Sequence, residues 1–182
     1  VVAYRGATTN ITVGAGYIDQ IRFDSGTHFI TAIEGETDQE SYIGTVTIYG
    51  DSQTNLTLGS GGAQSVTLSY GADSVVTGSG YVGQLNAGGG DDEITLNGDI
   101  GSVMAGDGDD NVYIGEHASG HMIAGGNGAD YFSMGPLTDP YAGFIIEGGY
   151  DSSIDMLDLS GFSTNLTLSL DRDRSWQDLG AG

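Results

Sequence analysis

The chain has no cysteine and no lysine, only 2 prolines in 182 residues, and no basic side chain other than histidine between Arg22 and Arg172. Without cysteine, neither disulfides nor thiolate metal sites can hold the fold, and the redox compartment cannot be read from bridges. Four arginines against 25 acidic side chains leave a net charge of -21. That balance argues against nucleic acid as a partner and disfavours an anionic membrane surface, whereas a multivalent cation would relieve the self-repulsion. No apolar run approaches the ~20 residues that span a bilayer, so membrane insertion is not expected. The chain also lacks an initiator methionine and a signal peptide. Its ends, Val1-Val2-Ala3 and Gly180-Ala181-Gly182, look cut, as in a processed product or a fragment.

The chemistry of common enzymes is missing as well. There is no H-E-x-x-H pair, no serine in a nucleophile elbow, and no G-x-G in the strand-to-helix context that phosphate binding needs. Of three histidines, His28 has no evident partner, and His117 and His121 share one turn, where solvated turn residues are a better reading than a zinc pair. Sequons at Asn10, Asn55 and Asn165 read as strand residues rather than glycan sites. The expectation is a protein that is not an enzyme.

What the chain does have is glycine, 33 residues of it, and a period. Apolar residues recur every nine or ten positions at Val46, Leu56, Val66, Val75, Leu85, Ile94, Val103, Val112, Met122 and Phe132. Two places after each stands a second inward candidate: Ile48, Leu58, Leu68, Thr77, Ala87, Leu96, Ala105, Ile114, Ala124 and Met134. Apolar i and i+2 followed by a glycine-rich break describe a short strand with one buried face and then a turn. One such strand cannot bury its face alone, so stacked coils must share a core. The fold expected is all-β, a right-handed parallel β-roll or β-helix solenoid with two strands and about 18 residues per coil. Ile11, Ile21 and Ile30 keep the step, so the solenoid begins near the N-terminus.

The whole chain, 1–182, reads as a single β-solenoid domain. Two stretches break the period as insertions, 31–43 with Glu34, Glu36, Asp38 and Glu40, and 135–143 with both prolines. Residues 70–134 form the regular repeats, and 144–182 a C-terminal coil or capping segment.

The residue two places before each inward position alternates: Asp73, Gly83, Asp92, Gly101, Asp110, Gly120, Asp130. With two strands per coil, the aspartates fall on one edge of the roll and the glycines on the other. Carboxylates stacked at the strand spacing of about 4.8 Å repel one another, so a one-sided ladder of them argues for a counter-ion. The alternative is an ordinary Gly-Asp turn whose aspartate caps its own backbone.

Three turns, Ala87-Gly88-Gly89-Gly90-Asp91-Asp92-Glu93-Ile94, Ala105-Gly106-Asp107-Gly108-Asp109-Asp110-Asn111-Val112 and Gly125-Gly126-Asn127-Gly128-Ala129-Asp130-Tyr131-Phe132, resemble the calcium-binding nonapeptide G-G-x-G-x-D-x-U-x of repeats-in-toxin (RTX) proteins. Tyr70-Gly71-Ala72-Asp73-Ser74-Val75 is a degenerate fourth copy without the leading glycine pair. The resemblance implies several Ca2+ ions, with Asp92, Asp110 and Asp130 as principal ligands and Asp73 a weaker one. Gly88, Gly90, Gly106, Gly108, Gly126 and Gly128 would form the cradling turns. Asp91, Asp107, Asp109 and Asn127 are further oxygen candidates. The edge of Gly83, Gly101 and Gly120 lacks acids in register, so a second ion row is not expected.

Downstream, Asp155-Met156-Leu157-Asp158-Leu159-Ser160-Gly161-Phe162 resembles the segment beside RTX arrays in serralysin-type proteases and other type I secretion substrates. Asn165 to Leu170 and Ser175 to Gly180 continue that likeness. Asp151, Asp155 and Asp158 suit either a further ion or a capping strand. Together these features imply a secreted extracellular or cell-surface module, structural or adhesive, that folds on calcium after export. Two alternatives stand beside it. One is a self-assembling surface layer or filament stacking through solenoid ends, hence a homo-oligomer. The other is a carbohydrate-active β-helix, for which the absence of basic groups to meet uronates is unfavourable.

Overall fold

The computed structural model describes residues 8–14, 16–32, 41–138 and 143–161. Its strands are β1 (Thr9–Val13), β2 (Gly16–Phe23), β3 (Thr27–Ala32), β4 (Ser41–Ile48), β5 (Gln53–Thr57), β6 (Ala63–Thr67), β7 (Ser74–Val76) and β8 (Val82–Gly89). They continue with β9 (Glu93–Leu96), β10 (Asp99–Asp107), β11 (Asn111–Ile114), β12 (Ser119–Asn127), β13 (Tyr131–Met134), β14 (Ile145–Glu147) and β15 (Met156–Asp158). No helix occurs among the described residues.

Odd-numbered strands pair in sequence order into an 8-stranded sheet and even-numbered ones into a 7-stranded sheet, all parallel. Each coil therefore donates one strand to each sheet, and the chain is a right-handed β-solenoid. Successive aspartate rungs lie 19, 18 and 20 residues apart, so the coil is slightly longer and less uniform than the expected 18. Across the first interruption, Gly16 pairs with Ser41 and Thr27 with Gln53, so both ladders continue on either side of it. β3 extends to Ala32 and β4 begins at Ser41, which takes both ends of the expected 31–43 insertion into strands. Glu34, Glu36, Asp38 and Glu40 lie outside the described residues, as do Asn165 to Leu170 and Ser175 to Gly180.

The core is the space between the two sheets. Val46, Val66, Leu85 and Val103 fill it from one sheet, and Leu56, Val75, Ile94, Val112 and Phe132 from the other, all essentially without exposure. Thr77, the polar member of the series, is also fully buried. Its hydroxyl accepts the Asn97 N–H at 2.9 Å. Strand β12 departs from the expected register. The residue there that pairs with Val103 is Ile123, and Met122 and Ala124 pair instead with the outward Ser102 and Met104. The step from Val112 to the next inward residue is one longer than the period expects, so each expected inward position in β12 is one place off and lies on the opposite face. The same slip pairs Gly120 with Ile100 rather than with Gly101.

Packing this regular is sensitive to single methylene groups. Ile94, with no exposed surface, sits in mid-stack between Val75 and Val112. Ile94→Val is expected to lower unfolding free energy by about 1 kcal/mol, read by chemical denaturation.

Candidate metal centre

The turns leading into β7, β9, β11 and β13 place Asp73, Asp92, Asp110 and Asp130 at one corner of the solenoid. Although aspartate is a surface residue by habit, these four are only 1–2% exposed. Their position in a two-residue alternation explains it, because each stands two places before a core residue and so points to the same face.

Each carboxylate reaches back one coil. Oδ1 of Asp73 accepts the Thr54 N–H at 2.6 Å, and Oδ1 of Asp92 accepts the Asp73 N–H at 2.7 Å. Asp110 accepts from Asp92 at 2.9 Å and Asp130 from Asp110 at 3.0 Å. Asp155 adds a rung, its Oδ1 accepting the Asp130 N–H at 3.0 Å. Main-chain bonds run alongside: the Asp92 carbonyl accepts the Asn111 N–H and the Asp110 carbonyl the Tyr131 N–H, both at 2.8 Å.

The second oxygen of each buried carboxylate is left over. Oδ2 of Asp73, Asp92, Asp110 and Asp130 is buried without a hydrogen-bond partner. An unmatched charged oxygen in that position is costly unless a proton or a cation meets it. Burial accordingly pushes Asp73, Asp92 and Asp110 up to about 7 and Asp130 to about 6. The N–H donated to each carboxylate pulls the other way, and neighbouring carboxylates add to the rise for all but Asp73.

The glycines do what the repeat requires of them. Gly88, Gly90, Gly106, Gly108, Gly126 and Gly128 all take positive φ, from 106° to 133°, a region closed to side chains with a Cβ. In the third turn a Cβ on Gly125 would run into Oδ2 of Asp130. Space beside that carboxylate is therefore kept by the absence of a side chain.

The remaining candidates separate from this row. Asp91, Asp107, Asp109 and Asn127 are exposed on the outside of the turns. There they staple coil to coil: Asp91 accepts the Asp109 N–H at 3.0 Å, Asp109 the Ala129 N–H at 2.8 Å, and Asp107 the Asn127 side-chain N–H at 2.7 Å. The inner aspartates reach toward the preceding coil and Asp91 and Asp109 toward the next. Asp151 caps the last turn, taking the Gly128 N–H at 2.7 Å, and Asp158 accepts the Tyr131 hydroxyl at 2.7 Å.

No three His, Cys, Asp or Glu side chains converge among the described residues, as one inward carboxylate per coil dictates. A cation in these turns would have to draw on main-chain carbonyls as well as on carboxylates of neighbouring coils. Hard oxygens, two per aspartate and one per glycine, are the donor set calcium prefers. In donor type the residues suit such an ion.

Outside the turns, His28 occupies the column that Thr54 and Asp73 continue. It is fully buried, stacks on Phe23 at 4.2 Å, and both ring nitrogens lack partners, so burial lowers its pKa. His117 Nδ1 lies 3.0 Å from the Thr138 hydroxyl, while the side chain of His121 is outside the described residues. The coil step of 25 residues hides the Asp155 rung from a search for a nine-residue period. Compared with family models, curated proteins and solved structures, the chain matches none.

Proposed function

We propose that this chain is an extracellular calcium-binding solenoid of the RTX type, a non-catalytic structural or adhesive module that folds when it meets calcium after export. The observation that carries this reading is the row of four buried carboxylates, each with an unpartnered Oδ2, beside glycine turns held at positive φ. A chain of net charge -21 with its carboxylates stacked in register resists folding where divalent cations are scarce. An ion that binds only the folded coils adds its binding free energy to folding. Extracellular calcium modules bind at roughly 10⁻⁴ to 10⁻³ M, a range that separates cytosol from exterior.

Far-ultraviolet circular dichroism and thermal melting of chelator-treated protein, titrated with calcium and separately with magnesium, test the reading. A cooperative gain of β-structure or a rise in melting temperature with calcium, and a much smaller one with magnesium, is expected. A melting temperature indifferent to calcium would leave an acidic solenoid whose ladder holds protons rather than ions.

A further inference from the structure

The outer face of the 7-stranded sheet carries a groove of about 540 Å³ that runs along the coil axis. Its wall is a register column, Thr47, Thr67, Asn86, Met104 and Ala124, one residue per coil. Beside this column the backbones of Gly88, Gly106 and Gly126 line the groove without side chains. They must, because a Cβ on each would meet the carbonyl of the coil before it. Large aromatic rings mark its length: Tyr49 and Tyr70 on neighbouring turns and Tyr150 beyond Ala124.

Tyr70 is 72% exposed and Tyr150 78%. Tyr49, half exposed, has the Arg22 guanidinium 4.7 Å from its ring centre. Aromatic rings this open, spaced along a glycine-lined channel, are a binding feature more than a packing one. Among the described residues, the single charged side chain in the lining is Asp107, already bonded to Asn127. The wall column runs on to Arg22 at one end and Glu147 at the other, one charge of each sign outside the lining, so the stretch between them favours neither an anionic nor a cationic polymer.

We infer that this groove binds a neutral, extended glycan along the coil axis. Sugar rings present an apolar face that stacks on tyrosine and a rim of hydroxyls that pair with Thr47, Thr67, Asn86 and main-chain carbonyls. Such a glycan is the ligand class for the adhesive role proposed above, on which this inference rests. Ligand and ion are also tied together, because Gly88, Gly106 and Gly126 line the groove and belong to the turns beside the carboxylate row.

The test is isothermal titration of the calcium-loaded chain with cellohexaose and chitohexaose, with a hexamer of galacturonic acid as the charged control. Saturable binding of a neutral hexamer, at least tenfold tighter than the control, is expected. Tyr70→Ala should weaken it by tenfold or more while leaving the melting temperature unchanged, and Tyr150→Ala should weaken it likewise. No measurable binding of either neutral hexamer, equal binding of the charged one, or full affinity in both variants would overturn the inference. Dichroism of the same samples with and without calcium separates the two ideas: a folded chain without glycan affinity refutes the groove, and a fold indifferent to calcium refutes the ion row.

Discussion

Raising the pH from about 5 to about 8 is expected to lower the melting temperature of the calcium-free chain by roughly 10 °C, the reverse of ordinary acid denaturation. The cause is the buried row. Asp73, Asp92 and Asp110 titrate near 7 and Asp130 near 6 in the fold, against 3.8 for a free side chain. Between those values the folded chain holds protons that the unfolded chain has released, so unfolding becomes easier as pH rises. The stabilisation is complete below about 4 and is lost as pH climbs through about 7. A tenfold difference in proton affinity between folded and unfolded chain is worth about 1.4 kcal/mol, and several such groups together make a large share of a domain's net stability.

Two smaller effects oppose the trend. Asp151 and Asp158 are held low by hydrogen bonds from Ser153, Gly128, Ser160 and Tyr131, which favours the fold above the usual carboxylate range, but both are at the surface and count for little. Burial lowers His28, which costs stability as pH falls through 6.5, one group against the four of the row and Asp155, which burial also raises. With saturating calcium the slope should reverse, since the ion takes the ionised form and displaces the protons. Melting curves across pH, with chelator and with calcium, check both slopes. Parallel curves would mean that calcium and the row are unconnected.

Asp110 separates a structural aspartate from an ion ligand. In Asp110→Ala the buried Asp92 N–H loses its acceptor at 2.9 Å, at a cost of about 1–3 kcal/mol, with a void added. That loss is expected with or without calcium. Asp110→Asn keeps an oxygen for the Asp92 N–H and removes the ionisable group. At pH 8 without calcium it should be at least as stable as the parent chain. With calcium at a hundredfold over its dissociation constant, a single site contributes about 2.7 kcal/mol, and the variant should lack at least that much of the calcium response. Denaturant titrations in the two conditions give the comparison, and an asparagine variant with an undiminished response would remove Asp110 from the ligands.

The period was legible because a strand buries every second residue and a solenoid must repeat what it buries. Val46 to Val112 and the aspartate corner follow from it directly, whereas the six turn glycines were singled out by the resemblance to the RTX nonapeptide. What escaped has a common origin in the length of individual coils. One longer coil put Ile123 inside where the period pointed to Met122, and another separated Asp155 from Asp130 by 25 residues, out of reach of a nine-residue template. The split between inward and outward acids was also blurred, since Asp91 beside Asp92 and Asp109 beside Asp110 are chemically alike. Only the alternation of faces separates them, and it sends one of each pair out to staple the next coil. His28 gave no signal because its column holds only the threonines Thr9 and Thr54 before Asp73.

Occupancy of the turns by calcium is the central claim of the proposal, and anomalous diffraction from crystals grown in calcium addresses it directly. Peaks inside the turns, beside the free Oδ2 atoms of Asp92, Asp110 and Asp130 and between successive coils, are the expected result. Turns without ions, or calcium confined to the outer Asp91, Asp107 and Asp109, would contradict it.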